Sequence, residues 1–292
     1  MTRSDHRPPS DRRKGIVLAA GGSLFISLDS LGLRLTEVSA WTNAFWLGLF
    51  VGISMLAFVR VRSGRSLPSV ARAQGPKMAA SALLQAASTL LFIISVSITA
   101  VANTVAILAA VPMVAAFVAR IALGERTDRR TKVSAVAVLA GVLVVVSGSL
   151  GGGRLAGDLF AVVAIVAFSG NLTLWRRFPD LDRQVVVGLG GFIVAGVAAW
   201  PADITGAAPL AVAILAVLGL FTGPLGRVGI ATSTRYLPVA NVGLFVPVET
   251  VAATAWAWLF LAESPPTSTM LGGVIVIGAV VLGTIQRPAR RN

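Results

Sequence analysis

The chain lacks cysteine, has a single histidine and is poor in charged residues, and each of these absences narrows what it can be. Without cysteine it can form no disulfide and no thiolate metal site. The lone histidine, His6, stands in a polar tail, which excludes a histidine-based zinc site or a Ser–His relay inside a membrane. Charged residues make up 13% of the chain and hydrophobic residues 55%, and the mean hydropathy is +0.83. Because a soluble domain carries roughly a quarter charged residues, the composition is that of a polytopic membrane protein.

Further absences argue against enzymatic and nucleic-acid functions. No glycine-rich loop ends in Gly-Lys-Ser or Gly-Lys-Thr, and the run Gly151–Gly153 carries no nucleotide signal by itself. The polar residues deep in the apolar runs form no recognisable nucleophile–base set. The net charge of +13 does not indicate nucleic-acid binding, because the basic residues cluster in short segments between apolar runs. We therefore expect no enzyme, no cofactor, no metal and no nucleic-acid partner. The expected partners are the lipid bilayer and a small-molecule substrate, with a monomer or homodimer as the oligomeric state.

Ten apolar runs are close to the roughly 20 residues that a crossing helix needs. They are 16–35, 41–59, 78–97, 101–121, 133–150, 158–175, 185–200, 209–231, 239–261 and 270–286. The break near Thr99, between the third and fourth runs, rests on an internal repeat rather than on local signal. The N-terminus has no short apolar core with a small-residue cleavage site, so we expect the first run to be a retained anchor.

The chain carries the same pattern twice. Val101–Asn103 begins an apolar run that ends at Leu123–Glu125, and Val239–Asn241 begins another that ends at Leu261–Glu263. A second set also aligns: Gly15, Ser27, Asp29 and Arg34 with Gly157, Ser169, Asn171 and Arg176. Each copy holds five of the runs, and an odd number of crossings places the two copies in opposite orientations. Inverted repeats of this kind form a substrate site at their interface, near the bilayer midplane.

The basic residues predict the orientation and, with the breaks, the domain organisation. All basic residues except Arg34, Arg154 and Arg227 fall on the side of the two termini, so the positive-inside rule predicts cytoplasmic termini. We expect a basic tail over 1–14, repeats over 15–150 and 158–286 joined by a linker over 151–157, and a tail over 287–292. In this orientation Trp41, Trp46 and Trp200 lie toward the outer interface and Trp175 toward the inner one.

Two segments resemble a known family. The run Val246–Val251, which continues to Ala257–Glu263, resembles the second-repeat signature of the drug/metabolite transporter superfamily, EamA type. Ala109–Pro112 through Leu123–Glu125 resembles the first-repeat counterpart, and Ala262 stands where many members carry glycine. The resemblance implies ten helices in two inverted repeats and export of metabolites. The chain is most similar to bacterial exporters of aromatic and other bulky neutral amino acids, which implies the bacterial inner membrane. Efflux of drugs or quaternary cations is the alternative within the same superfamily.

Glu249 is the first candidate for a transport residue, because an ionisable side chain at membrane depth is costly. It lies ten residues into a helix that starts near Val239, so about 15 Å deep at 1.5 Å per residue. Pro247 stands two residues earlier and can free a backbone carbonyl toward a cavity. Glu249 could bind a substrate ammonium or a coupling proton, or its carboxyl could tie neighbouring helices together.

Further polar residues stand deep in the apolar runs, several of them one turn from a phenylalanine. Asp29 and its repeat partner Asn171 suggest one shared cavity, although each could instead hydrogen-bond a neighbouring helix. Asp29 is also a second candidate for coupling. Phe25, Phe168 and Phe245 lie three or four residues from Asp29, Asn171 and Glu249, a spacing that would place an aromatic wall beside polar groups. The third run adds Gln85, Ser88 and Thr89. The expected substrate-binding set is therefore Phe25, Asp29, Gln85, Phe168, Asn171, Phe245 and Glu249.

Arg227 is ambiguous from the sequence. The preceding Gly223–Gly226 reads as a broken or kinked helix, and the guanidinium could hold a substrate carboxylate. Its place about one turn from the cytoplasmic end favours a snorkelling side chain instead. Glu125 and Glu263, at equivalent helix ends, are expected to cap the next helix or to pair with loop residues such as Arg129. Glycines in the fifth and tenth runs are expected to pack closely at the back of the bundle or at an oligomer contact.

The sequence thus predicts an all-α polytopic membrane protein that acts as a secondary active or facilitative carrier. Alternating access would expose a midplane cavity between the repeats to each side in turn. A channel would need a continuous polar stripe, and the runs show only isolated polar residues.

Overall fold

The computed structural model describes residues 9–64, 67–99, 104, 107–146, 155–261 and 267–284, and this part of the chain is built from helices and their connections. The helices are α1 (Pro9–Leu35), α2 (Ala40–Ser63), α3 (Leu67–Gln74), α4 (Pro76–Ile98), α5 (Val111–Leu123), α6 (Arg129–Val146), α7 (Leu155–Arg177), α8 (Arg183–Ala198), α9 (Pro209–Val217), α10 (Gly223–Ser233), α11 (Val239–Gly243), α12 (Val246–Leu261) and α13 (Thr267–Thr284). A π-helical turn, Leu218–Thr222, joins α9 to α10.

The helices follow the predicted apolar runs closely. Six stretches of the described chain are long and apolar enough to cross a membrane, and α5, α8 and most of α13 are shorter apolar helices. The weakly predicted break is present, because α4 ends at Ile98 and Thr99 is extended. One helix was not predicted: α3 forms between the second and third predicted apolar runs. Helix α7 begins at Leu155, inside the predicted linker. The predictions for Val101–Asn103, Gly151–Gly153 and Ala262–Glu263 lie outside the described residues.

Helix packing follows the sequence repeat. Each extensive helix pair in the described residues joins an element of the first repeat (α1–α6) to one of the second (α7–α13). Helices α2 and α8 pack on each other, as do α6 and α13. Two further couples are equivalent in the two repeats: α1 with α10 matches α4 with α7, and α1 with α12 matches α5 with α7. The two repeats are therefore related by an approximate two-fold axis and share one core.

Close contacts show that the paired helices run antiparallel. Gly15, near the start of α1, lies against Leu237 just beyond α10, and Gly32, near the end of α1, lies against Leu218 before it. The α2–α8 crossing is closest at two glycines. A Cβ built on Gly48 would lie 2.7 Å from the Gly191 carbonyl oxygen, and one built on Gly191 equally close to the Gly48 carbonyl oxygen. Small residues of this kind let membrane helices approach backbone to backbone.

The start of α1 and the end of α13 lie together at one end of the bundle, which we call the termini end. There the Arg12 guanidinium donates to the Thr284 carbonyl at 3.0 Å. At the same end Glu125 pairs with Arg176 at 2.8 Å and accepts a hydrogen bond from the Val239 backbone N–H at 3.4 Å. Both expected roles of Glu125, capping the next helix or pairing with a nearby loop residue such as Arg129, are therefore wrong. Glu125 joins the first repeat to the second.

A buried arginine also holds the termini end together. Arg183 is only 2% exposed and donates to the carbonyls of Trp175, Pro179, Leu181 and Ala231. It thereby caps the last turns of α7 and α10, whose final carbonyls have no partner within their own helices. Trp175, near the C-terminal end of α7, is buried in the core at this end of the bundle.

Much of the outer surface of the bundle is apolar. Large apolar side chains stay exposed on α5, α7, α12 and α13, including Phe117, Leu159, Leu259 and Val274. An aqueous surface would leave these side chains in contact with water. A belt of this kind is typical of helices that face lipid.

Candidate functional site

A cavity of about 480 Å³ lies between the two repeats. Its walls come from α1, α2, α4 and α5 of the first repeat and from α7, α8, α10 and α12 of the second. The closely packed pair α6 and α13 contributes no lining residue in the described part of the chain, so it stands behind the cavity as the sequence suggested. The lining reaches Ala40 and Asn43 beside the α1–α2 connection, at the end of the bundle opposite the termini end.

The wall is mostly apolar, with a few polar side chains on separate helices. The polar lining residues are Asp29, Asn43, Gln85, Ser88, Thr89, Arg227 and Glu249. Ligand sites typically combine apolar walls with a small number of placed polar groups. Three of these side chains are ionisable, and all three lie on α1, α10 and α12.

Asp29 is held by two side chains from the second repeat. Arg227 Nη1 donates to Asp29 Oδ2 at 3.1 Å, and the Thr222 hydroxyl donates to Asp29 Oδ1 at 3.3 Å. The Asp29 side chain is 7% exposed and that of Arg227 is 21% exposed. The expected snorkelling of Arg227 toward the cytoplasm is therefore wrong, because the buried carboxylate draws the guanidinium into the bundle.

The local backbone explains how Arg227 reaches this position. A Cβ built on Gly223 would lie 2.5 Å from Arg227 Nη1, so the guanidinium occupies space that only glycine leaves open. Pro224 has no N–H to bond the Leu220 carbonyl one turn earlier, and that carbonyl accepts from the Ser54 hydroxyl at 2.7 Å instead. The predicted disturbance of this helix is present as the π-helical turn before Gly223.

Glu249 lines the cavity without a hydrogen bond or ion pair to any described residue. It stands in the first turn of α12, and it lies close enough to Asp29 and Arg227 to interact with the charge of each. The helical conformation is interrupted before α12, at Leu244 and Phe245. The Phe245 carbonyl there accepts a hydrogen bond from the Ser23 hydroxyl of α1. This break fixes the start of α12, and with it Glu249, against α1.

Asn171 forms a similar but uncharged cluster in the other half of the molecule. The Ser81 hydroxyl donates to Asn171 Oδ1 at 2.6 Å, and Asn171 Nδ2 donates to Gln85 Oε1 at 3.0 Å. The two clusters share one arrangement. The first helix of one repeat carries a short polar side chain, and this side chain binds a hydroxyl and a longer polar side chain of the other repeat. Asn171 itself is fully buried, and Gln85 is the member of this cluster that reaches the cavity.

The predicted aromatic wall is only partly present. Phe168 lines the cavity, whereas Phe25 is 42% exposed on the outside of the bundle and Phe245 is 4% exposed in the core. Sequence reasoning missed Phe92, which also lines the cavity. Its position four residues after Ser88, on the same face of α4, was the available signal.

The site therefore offers both signs of charge to a bound molecule. Arg227 uses only Nη1 toward Asp29, and its Nε and Nη2 donors have no acceptor among the described residues. The Glu249 carboxylate is an acceptor that likewise has no partner among the described residues. Within the same part of the chain, no group of three or more acidic or histidine side chains is placed to hold a metal ion. The arrangement suits an organic molecule that carries a positive group, or a positive and a negative group, on an apolar body.

Comparisons with known proteins agree with this architecture. The model of the EamA-like transporter family matches residues 13–147 and 155–285, one repeat in each segment. A solved structure described only as "Crystal structure of protein" superposes with a TM-score of 0.77 at 17% identity, over 94% of this chain and 97% of that one. At this identity the likeness concerns the fold alone. No curated protein matches the sequence.

Proposed function

Because the chain belongs to the EamA-like transporter family, we propose that it is a secondary carrier of small amphipathic molecules, with bulky neutral amino acids as its leading substrates. The substrate would occupy the cavity between the repeats. The two inverted repeats would exchange roles as the cavity opens to one side of the membrane and then to the other.

The observation that carries this proposal is the presence of an available cation and an available carboxylate on one wall of the cavity. Arg227 keeps two donor positions for a substrate carboxylate, since only its Nη1 atom serves Asp29. Glu249 has no partner among the residues that the structure describes, and it can accept the substrate ammonium. The α-carboxylate and α-ammonium of an amino acid would bind these two groups, and charge-assisted hydrogen bonds are the stronger kind.

The remaining walls favour an apolar side chain on such a substrate. Phe92 and Phe168 lie among aliphatic residues of α2, α4 and α8 that line the cavity. The cavity volume of about 480 Å³ falls within the range of small-molecule sites. A free ion would gain nothing from these walls, whereas an aromatic or branched side chain would bury apolar surface against them.

We further propose export across the bacterial inner membrane with both termini in the cytoplasm. The basic residues support this orientation, because the rule for membrane proteins places them on the cytoplasmic side. Glu249 is the proposed coupling residue, since it is an ionisable group open to the cavity. Asp29 is the second candidate for this role.

One observation favours a second candidate function, the efflux of quaternary cations. Asp29, Arg227 and Glu249 together leave one net negative charge in the cavity when all three are ionised. A lipophilic cation would satisfy Glu249 and leave the Asp29–Arg227 pair undisturbed.

Transport by purified protein in liposomes separates the two functions. Phenylalanine, phenethylamine and a quaternary aromatic cation are compared, with and without a pH gradient. An amino-acid carrier is expected to prefer phenylalanine to phenethylamine, which lacks the carboxylate. The double variant Asp29→Asn/Arg227→Gln, which removes the ion pair without leaving one charge alone, is expected to lose that preference.

The variant Glu249→Gln tests the coupling role. It is expected to remove the effect of the pH gradient on phenylalanine flux. Flux of the cation in the absence of amino-acid flux would replace the first function by the second. Transport of none of the three compounds would refute both.

A further inference from the structure

The cavity has a charged wall and an uncharged wall. Its lining residues Asp29, Arg227 and Glu249 lie on α1, α10 and α12, and both α10 and α12 pack on α1. Across the approximate two-fold axis, α4 packs on α7 and α8 and contributes Gln85, Ser88 and Thr89 to the lining. A molecule that binds its charged end to the first wall therefore directs its other end toward the second.

Gln85 is fixed in position on the uncharged wall. Its amide oxygen accepts from Asn171, whose own oxygen accepts from Ser81. A Cβ built on Gly190 of α8 would lie 2.9 Å from the Gln85 Cγ atom, so a glycine makes room for this side chain. Buried hydrogen bonds on one side and backbone on the other hold Gln85 at the cavity surface.

The repeat shows what distinguishes the two walls. Contacts at the helix ends are equivalent, because Gly15 lies against Leu237 and Gly157 against Thr99. The same difference in residue number that aligns Thr99 with Leu237 also aligns Gln85 with Gly223 and Thr89 with Arg227. In the charged half, glycine leaves space and an arginine one turn later fills it. In the uncharged half, glutamine fills the equivalent space, and threonine stands where the arginine would be.

We propose that Gln85 determines substrate specificity, by making the wall that faces the substrate side chain polar but uncharged. The inference rests on the proposed amino-acid carrier and adds the reason why the side chains would be neutral ones. A charged side chain placed against this wall would lose hydration and find an amide where it needs a counter-charge. Removing a charge from water without a partner is costly, so such substrates are excluded.

The test introduces a charge of each sign at the same position. Gln85→Glu and Gln85→Lys are compared with Gln85→Met, a neutral side chain of similar length. Competition of lysine, glutamate and methionine against radiolabelled phenylalanine is measured by binding to purified protein, because binding does not require turnover. Size-exclusion profiles identify any variant that fails to fold, and Thr89→Glu and Thr89→Lys provide a second position on the same wall.

The expected result is reciprocal. Gln85→Glu improves competition by lysine about tenfold or more, and Gln85→Lys does the same for glutamate, because a close opposite charge near a protein surface is worth more than that factor. Gln85→Met improves competition by neither. If the folded variants bind phenylalanine but lysine and glutamate compete no better than before, the specificity role of Gln85 is overturned and the proposed function is not. Failure of the unmodified protein to bind any of these amino acids would overturn the proposed function and this inference together.

Discussion

Removing one partner of the Asp29–Arg227 pair should destabilise the protein far more than removing both partners together. Arg227→Met leaves the Asp29 carboxylate, 7% exposed, without its counter-charge. Breaking a buried ion pair from one side costs about 3–5 kcal/mol, whereas replacing both partners is often close to neutral. The double variant Asp29→Asn/Arg227→Met should therefore lie within about 1 kcal/mol of the unmodified protein, although it carries one more substitution.

The uncharged cluster provides a matched control in the same molecule. Gln85→Met removes one hydrogen bond to Asn171 and leaves no charge behind. Hydrogen bonds between membrane helices contribute on the order of 0.6 kcal/mol on average and about 1.7 kcal/mol at most. Gln85→Met should thus destabilise the protein several-fold less than Arg227→Met, although both residues line the same cavity.

The measurement is the free energy of unfolding in mixed micelles, followed by tryptophan fluorescence as denaturing detergent is added. A cycle of two single variants and one double variant gives the coupling energy of the pair. If Arg227→Met proves neutral, the guanidinium does not rest on Asp29. If the double variant is as unstable as the sum of the singles, the two side chains act independently, and the ion pair is refuted as the source of the effect.

Three further outcomes follow from contacts outside the cavity. Glu125→Arg should open the termini end to water, and adding Arg176→Glu should close it again, because the pair then forms with its signs exchanged. The rate of thiol labelling of a cysteine introduced into the cavity measures this opening directly, since the chain has no cysteine of its own. Gly191→Ala should cost about 1–3 kcal/mol of unfolding free energy, because the new Cβ meets the Gly48 carbonyl oxygen. Arg183→Met should cost at least about 3 kcal/mol in the same assay, since each lost hydrogen bond to a charged donor is worth about 1.5–3 kcal/mol. An equal loss of unfolding free energy in Arg183→Lys would count against the helix-capping role.

The sequence was sufficient for the framework of the fold, because the two strongest signals are long apolar runs and a repeated pattern. It identified Asp29, Gln85 and Glu249 as deep polar residues, since depth follows from residue number and helix rise. All three line the cavity. Depth alone does not give direction around the helix axis. That direction depends on which helices pack together, and these pairings link residues far apart in the chain.

Residues whose direction mattered were accordingly assigned wrongly. Arg227 was expected to reach the cytoplasm, because its height in the helix was visible and its distant partner Asp29 was not. Phe25 and Phe245 were expected beside the polar groups, but packing turns one outward and the other into the core. Glu125 was given a partner nearby in sequence, whereas it pairs with Arg176 of the other repeat.

The pairing of helices between repeats has a consequence for how the protein is made. Because the extensive packing of the first repeat is with the second, the first half of a nascent chain enters the bilayer before its partners exist. Asp29 and Gln85 then lie in the bilayer before the side chains that bind them, Arg227 and Asn171, have been synthesised. Contacts between distant parts of a chain slow folding. For this molecule the late folding step is the association of the two repeats. Two fragments, expressed from a gene divided at the linker, should therefore be degraded when each is produced alone. They should assemble into a working transporter when they are produced together.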